Sequence, residues 1–212
     1  MTRIAIIGGT GYAGSHIVAE AVSRGHSVIS IARSVPAERV EGAVYLEGTI
    51  LDVPSLLEQI AEAEVVIQSI APRGDMAGKV RPATAELFEA LPDNVRLGVV
   101  GGAGGSLVAA EGPRVIDAGF PEEFKAEAFE AIGVLEDLQA DTSGKDWFFI
   151  HPAGEFGAWN PGERTGTYRD GGDVIVTDAD GRSYISGADF GVAVLDEIEN
   201  PEHSRGRFAV GY

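Results

Sequence analysis

Three glycines recur at intervals of three residues near the start of the chain, directly after an apolar run. The run Arg3–Gly8 leads into the turn Gly8-Gly9-Thr10-Gly11-Tyr12-Ala13-Gly14, and a helical pattern follows. Gly8 permits a tight turn, Gly11 lets a ligand approach the backbone, and Gly14 lets the helix pack closely on the strand. Backbone amides at the start of that helix would then meet a pyrophosphate. The sequence therefore predicts a dinucleotide site with contacts from Gly8, Thr10, Gly11, Tyr12, Ala13 and Gly14.

The end of the second predicted strand indicates which dinucleotide binds. Enzymes that use NAD usually place an acidic residue about 20 positions after the glycine turn, where it holds the ribose hydroxyls. This chain has Arg33 and Ser34 there, and Arg39 lies close by in the sequence. A guanidinium and a hydroxyl suit a 2′-phosphate, which favours NADP over NAD. The alternative is that Arg33 only stacks on the adenine, which would allow either cofactor.

Short β-branched runs alternate with helical patterns along the chain, and this alternation is typical of βαβ units with a parallel sheet. We predict an α/β fold with one doubly wound parallel sheet, a Rossmann fold with strand order 3-2-1-4-5-6. Helices are predicted after Gly14, after an N-cap at Asp52, over Phe124–Leu138 and over Ala188–Glu199, where Asp189 would be a cap. The predicted strands are Arg3–Gly8, Ser27–Arg33, Val44–Glu47, Glu64–Ile70, Arg96–Val100, Asp146–Ile150 and, at the end, Phe208–Val210.

Three long segments leave strands at the carboxyl edge of this sheet, where ligands bind in such folds. They are Ala71–Ala83, Gly101–Pro121 and Pro152–Gly172, and all three are rich in glycine and proline. A hairpin is predicted from Val174–Thr177 and Arg182–Ile185. The chain is thus expected to be one domain. Residues 1–150 would form the cofactor-binding core, and residues 151–212 the substrate-side loops, the hairpin and the last helix.

Composition excludes several kinds of partner and chemistry. The 212 residues carry a formal charge of −17, which disfavours binding to nucleic acid or to an anionic membrane. There is no cysteine, and the histidines lack the spacing of metal ligands, so no thiolate catalysis and no metal site are expected. We expect a cytoplasmic protein, a monomer or homodimer, whose partner is a small-molecule acceptor.

Four segments carry a resemblance to a known family, and together they extend over nearly the whole chain. The chain resembles the NADH-flavin reductase group of atypical short-chain dehydrogenases/reductases, which is related to biliverdin IXβ reductase/flavin reductase and, more distantly, to NmrA-like NADP-binding proteins. The first segment is typical of the whole superfamily, whereas the other three are specific to the smaller group. The segments are Ile6–Gly14, Val99–Gly104, Pro161–Tyr168 and Ile185–Phe190.

The resemblance also implies positions for further site residues. Ser69, Ile70 and Ala71 would lie beside the cofactor ribose. Many relatives have an aspartate that touches adenine after the third strand, but this chain has Thr49 and Ile50 there. Adenine would then be held by apolar contact and by backbone. The remaining cofactor contacts implied at the carboxyl edge are Gly101, His151, Pro152 and Ala153, the last three against the nicotinamide.

The Tyr-x-x-x-Lys pair of catalytic short-chain dehydrogenases is absent, because none of the five tyrosines has a lysine four residues on. Chemistry that needs a phenol to relay a proton is therefore not expected. Lys125 and His151 are the two titratable candidates near the nicotinamide. Lys125 could equally be a surface residue, and His151 a structural histidine instead of one that titrates near neutral pH.

Reduction of a flavin or quinone-like acceptor needs less help from the protein, because the cofactor carries the hydride chemistry. We therefore predict an NAD(P)H-dependent reductase with NADPH preferred and FMN or FAD as a candidate substrate. Two alternatives stay open: an NADP-binding redox sensor without turnover, and a reductase or isomerase that acts on a specialised metabolite.

Overall fold

Parallel strands form the centre of the structure, a computed structural model that describes residues 1–212. The sheet has the order β3-β2-β1-β4-β5-β6-β8-β7, in which only β7 runs antiparallel to its neighbour. The predicted order 3-2-1-4-5-6 is confirmed, and β8 extends the same sheet beside β6. The strands are Arg3–Ile7, Ser27–Ala32, Ala43–Glu47, Val65–Gln68, Arg96–Val100, Trp147–His151, Arg169–Asp170 and Gly206–Gly211, numbered β1 to β8.

Five helices cover the two faces of the sheet. Side chains of α1 and α5 belong to one buried cluster, and those of α2, α3 and α4 to the other. None of the five combines the length and the apolar composition that a transmembrane segment needs. The helices are Tyr12–Ser23, Val53–Gln59, Val80–Ala90, Glu122–Ala140 and Gly187–Glu199, numbered α1 to α5.

Alternate residues of each central strand belong to the buried clusters on opposite faces of the sheet. In β1, Ile4 and Ile6 face α1 and α5, whereas Ala5 and Ile7 face the other helices. Because both faces are covered, the central strands are apolar without interruption, as parallel strands usually are. The Arg3–Gly8 run therefore predicted a buried strand correctly.

Two helix starts show how well local sequence predicts the elements between strands. The Asp52 side chain accepts a hydrogen bond from the Ser55 amide (3.2 Å), which confirms the predicted N-cap of α2. Helix α3 begins at Val80, so the segment after β4 is shorter than the predicted Ala71–Ala83.

The predicted hairpin of Val174–Thr177 and Arg182–Ile185 is wrong. A turn is present, since the Asp178 amide donates to the Arg182 carbonyl (2.9 Å), but the two arms do not pair as strands. Val174 pairs instead with Leu107, and Tyr184 with Glu155. Each arm is thus used to fasten a neighbouring loop at the carboxyl edge.

Asp189 does not cap α5, which corrects the second local prediction in this region. Ser186 is the cap, and its hydroxyl accepts from the Asp189 amide (3.0 Å). The buried Asp189 carboxylate accepts from the Thr165 and Gly166 amides (2.9 and 2.8 Å) and from the Tyr212 hydroxyl (2.5 Å). Although burial raises its pKa, these hydrogen bonds hold it below its ordinary value. One carboxylate therefore joins α5, the 161–168 segment and the C-terminus.

Candidate functional site

The glycine turn between β1 and α1 brings the helix very close to the strand. Gly8 has φ +84°, a conformation that side chains rarely adopt, and its carbonyl accepts from the Gly11 amide (2.9 Å). A Cβ atom at Gly14 would lie 2.2 Å from the Gly8 carbonyl oxygen and 2.8 Å from the Gly9 Cα. Both obstacles are backbone, so Gly14 is required by packing alone, as the sequence predicted.

The outer side of the same turn is open and carries unpaired hydrogen-bond donors. Thr10 and Gly11 are exposed, and no side chain caps α1. The amides of Tyr12, Ala13 and Gly14 have no acceptor within the protein. Free amides at a helix start, combined with the helix dipole, favour an anion. This part of the chain fits the pyrophosphate of a dinucleotide.

Residues after β4 support the turn from one side. The Ser69 hydroxyl donates to the Ile7 carbonyl (2.9 Å), and a Cβ at Gly8 would lie 3.0 Å from both Ser69 Oγ and Ile70 Cγ1. Ile70 and Ala71 are half-buried. The structure thus brings Ser69 and Ile70 against the glycine turn, where the resemblance places the ribose.

The adenosine side of the predicted site is formed by the segments after β2 and β3. Arg33 and Ser34 are exposed, and the Arg33 guanidinium pairs with Asp75, which follows β4. Ile50 lies fully inside the core, so only its backbone could meet an adenine there. Its neighbour Leu51 is half-exposed and was not among the predicted site residues.

The nicotinamide side consists of residues after β5 and β6. The Gly101 amide donates to the Ile150 carbonyl (2.9 Å), and a Cβ at Gly101 would lie 2.0 Å from the Phe149 ring. Pro152 and Ala153 are buried directly beyond β6. Gly101 is therefore required by the close approach of β5 and β6 whether or not a cofactor is bound.

His151 is a buried residue held by the loop after β5. Its Nδ1 lies 2.8 Å from the Gly102 carbonyl oxygen, which assigns the proton to Nδ1, and its Nε2 is buried without a partner. Burial lowers the pKa of His151 to about 4, although the hydrogen bond to Gly102 raises it. This lowered pKa favours the structural alternative for His151 over a group that titrates near neutral pH. Its ring is neutral at pH 7 and is enclosed by the protein.

Lys125 lies in the first turn of α4 and forms an ion pair within that helix. Its Nζ is 2.7 Å from Glu122 Oε2, and its side chain is partly exposed. This arrangement matches the surface alternative considered for Lys125. No contact of Lys125 with the glycine turn or with His151 is present.

Aromatic residues after β6 form a wall beside the glycine turn that the sequence did not predict. The Phe156 ring lies 5.1 Å from the Tyr12 ring and 4.6 Å from that of Phe190. Five residues further on, the Pro161 carbonyl accepts from the Tyr12 hydroxyl (3.4 Å). In the chain, Trp159 lies between Phe156 and Pro161, and it is 71% exposed. A tryptophan in a long segment that leaves a parallel strand was the sequence feature from which this could have been inferred.

Ion pairs and hydrogen bonds fasten the 161–168 segment behind this wall. Arg164 pairs with the buried Glu20 of α1 (3.0 Å), which also pairs with Arg24 (2.9 Å). Together with Asp189, Glu20 ties the segment to both helices on this face. The segment that resembles the smaller family group is thus a fixed structural element.

A surface groove lies away from this site. It has a volume of about 470 Å³ and runs between α3 and α4, past Arg81, Phe88, Asp137 and Lys145. Phe88 and Asp137 lie near the C-terminal ends of α3 and α4, and Lys145 follows α4, so most of the groove lies toward the amino edge of the sheet. Ligands of doubly wound folds bind at the opposite edge, so the groove is not part of the predicted site.

Comparisons with known proteins agree with the geometry of the turn. A family model described as NAD(P)H-binding matches residues 8–201. The uncharacterized protein YwnB of Bacillus subtilis (strain 168) is 37% identical over 212 residues, which cover 98% of this chain and 97% of that protein.

Two solved structures have nearly the same extent. A putative exported protein from Burkholderia pseudomallei is 33% identical with a TM-score of 0.86, covering 100% of both chains. SP1627, a putative NADH-flavin reductase from Streptococcus pneumoniae TIGR4, is 31% identical with a TM-score of 0.84, covering 100% of this chain and 99% of that one.

Two alanine substitutions, at Gly11 and at Gly14, should distinguish a residue needed for ligand binding from one needed for packing. At Gly11, φ is −73° and a Cβ would lie 3.3 Å from the Gly8 carbonyl oxygen, so Gly11→Ala should lower stability by less than about 1 kcal/mol. It should weaken NADPH binding at least about tenfold, because the methyl group occupies the approach of the pyrophosphate.

Gly14→Ala should instead destabilise the fold by about 3 kcal/mol, since backbone atoms must move. Urea unfolding and calorimetric binding measure both effects. A Gly11→Ala protein that binds NADPH normally would contradict the assignment of the turn.

Burial of neutral His151 should make stability depend on pH. The unfolded chain takes up the proton near pH 6.5 and the folded chain only near pH 4, so the free energy of unfolding should fall as pH drops through this window. The histidine term is about 3 kcal/mol in total.

Comparison with His151→Gln, which keeps a donor for the Gly102 carbonyl, isolates that term. Urea titrations at several pH values between about 4.5 and 7.5 should show a shallower slope for the variant. Equal slopes for the two proteins would refute the neutral buried ring.

Proposed function

Because the chain belongs to the NAD(P)H-binding family, we propose that it is an NADPH-dependent reductase that delivers hydride to a flavin or quinone-like acceptor. Membership in this family confirms the resemblance predicted from the four sequence segments. The proposal is carried by one juxtaposition, in which Tyr12 of the anion-binding turn contacts Phe156 and Pro161, the two residues that flank the exposed Trp159 in the chain.

The chain's own groups would hold the cofactor along the carboxyl edge. Free amides of α1 would bind the pyrophosphate, and Ser69 and Ile70 would border the ribose. Arg33 supports the preference for NADPH, because its exposed guanidinium lies at the end of β2, where a 2′-phosphate is recognised in such folds. When bound, the reduced nicotinamide supplies the hydride.

Trp159 and Phe156 support a planar aromatic acceptor. Phe156 packs on Tyr12 and is held by Phe190, so it forms a rigid wall. Trp159 is exposed three residues further on, where a large apolar ring has no partner in the protein to cover it. An isoalloxazine or quinone ring could stack on it, and aromatic stacking tolerates many ring types. A range of acceptors is therefore expected.

The titratable groups support hydride transfer without an obligatory protein acid. Tyr12 accepts from the Gly187 amide (3.0 Å), and burial raises its pKa above the ordinary value. Tyr168 donates to Asp196 (3.1 Å), and its pKa is raised mainly by burial. His151 is neutral and enclosed. Positioning of the two rings would then be the protein's main contribution, with the proton taken from solvent.

A redox-sensing NADP-binding protein without turnover is the second candidate. The observation in its favour is the same absence of a placed proton donor, because a sensor needs none. Exposed Trp159 favours the reductase, since a sensor would not need an uncovered aromatic ring beside the cofactor. Two earlier expectations, a cytoplasmic location and a monomeric or homodimeric state, remain predictions.

Rapid mixing of the protein with NADPH and an acceptor panel tests the proposed reaction. FMN, riboflavin and several quinones should each oxidise NADPH, with NADPH used more efficiently than NADH. The rate should be nearly flat between pH of about 6 and 8, because no single group must hold a proton. Binding of NADPH without oxidation by any acceptor would favour the sensor.

Replacement of Trp159 tests the acceptor side. Trp159→Ala should raise the KM for FMN about tenfold, the loss expected for one stacked ring, and leave the KM for NADPH within about twofold. Trp159→Phe should restore most of the loss, and Phe129→Ala, which removes an exposed ring from α4, should change neither value.

Fluorescence gives a readout independent of turnover. The chain has two tryptophans, of which Trp147 is buried in β6, so a Trp147→Phe protein reports on Trp159 alone. FMN should quench that emission at concentrations near its KM. Unchanged kinetics in Trp159→Ala would place the acceptor elsewhere.

A further inference from the structure

An ion pair joins two loops of the carboxyl edge on the adenosine side. Nη1 of Arg33, directly after β2, contacts Oδ2 of Asp75, in the segment after β4. Both side chains are about two-thirds exposed, at 64% and 67%. Exposed pairs of this kind are weak and exchange readily with other charged partners.

The order of the strands fixes where this ion pair lies. Strand β1 has β2 on one side and β4 on the other. A contact from the end of β2 to the segment after β4 therefore crosses the end of β1, where the glycine turn begins. The pair stands across the adenosine side of the predicted cofactor site.

Asp75 is held in this position by its neighbour in the chain. Residues Gly74–Met76 form a single 3-10 turn, and the Met76 side chain is buried in the core beneath the sheet. The Met76 amide donates to the Arg73 carbonyl (3.1 Å), which closes the turn. The Asp75 carboxylate is consequently presented to Arg33 by a fixed piece of backbone.

Two other cations at this edge have carboxylate partners of their own. Arg73 contacts Glu127 (2.7 Å), and Lys125 contacts Glu122 (2.7 Å). In a chain of net charge −17, Arg33 lies where a phosphate at the end of β2 would need a cation, and it already has a carboxylate partner.

We propose that Asp75 is a cofactor-selectivity residue that competes with the 2′-phosphate for Arg33. Its carboxylate neutralises Arg33 and repels the phosphate, so it lowers the affinity for NADPH and leaves that for NADH unchanged. The preference for NADPH is then set by the pair Arg33 and Asp75 instead of by Arg33 alone. This inference rests on the proposed NADP binding, and it does not depend on which acceptor is reduced.

Calorimetric dissociation constants for NADPH, NADH and 2′,5′-ADP test the proposal. Asp75→Asn should bind NADPH and 2′,5′-ADP about three- to tenfold more tightly than the wild type, and NADH within twofold. Arg33→Ala should weaken NADPH binding about tenfold or more. In the double variant the benefit of Asp75→Asn should shrink to about twofold, because its main target is gone.

Asp93→Asn is the matched control. It removes the same charge from an exposed loop between α3 and β5, at the opposite edge of the sheet, and should leave all three constants unchanged because salt screens distant exposed charges. Equal NADPH affinity in Asp75→Asn and wild type would overturn the proposal, as would an equal gain for NADH.

Failure of the proposed function gives a different pattern. If no acceptor oxidises NADPH but Asp75→Asn still tightens 2′,5′-ADP, the selectivity role stands and the reductase proposal falls. If the wild type binds none of the three nucleotides, both fall together.

Discussion

The close approach of backbone to backbone around α1 is the constraint on which the rest of the carboxyl edge depends. Gly14 leaves no room for a Cβ against the Gly8 carbonyl, and Gly187 and Gly191 of α5 leave none against His16 on the far side of the same helix. Helix α1 thus packs in close contact with both the first turn and α5. This fixes the direction of its free amides and the position of Tyr12, on which the aromatic wall is built.

Much of the fold follows from patterns of short range. Uninterrupted apolar strands and the Asp52 cap are each decided by neighbours in the sequence, and the structure agrees with them. Predictions failed where a residue serves a distant partner. Asp189 stands in the first turn of α5, where caps are common, yet it binds the 161–168 segment. The supposed hairpin arms likewise pair with loops far away in the sequence.

The candidate site likewise has parts that local sequence predicts and parts that depend on distant contacts. The glycine turn was predictable because each glycine answers a local need of strand, turn or helix. Burial was not predictable, since the distant loops and helices that enclose His151 and Ile50 cannot be identified from their neighbours in the sequence. The exposure of Trp159 cannot be read from the sequence. The contact of Asp75 with Arg33 cannot be read from it either, because the two residues are 42 positions apart. Residue type indicates which chemistry a side chain could perform, and packing decides how much of that side chain is exposed.

The pyrophosphate and the 2′-phosphate of a bound NADPH would therefore be recognised by different interactions. Amides of α1 are neutral dipoles, so a pyrophosphate bound there breaks no ion pair, and their effect is confined to the first turn. The 2′-phosphate must instead displace a carboxylate from Arg33, an exchange between exposed charges that salt screens strongly. On this proposal, affinity shared by NADPH and NADH would reside in the rigid turn, whereas discrimination between them would reside in a weak surface pair. Selectivity can then change by one substitution at Asp75 or Arg33 without disturbing the packing that holds α1 in place.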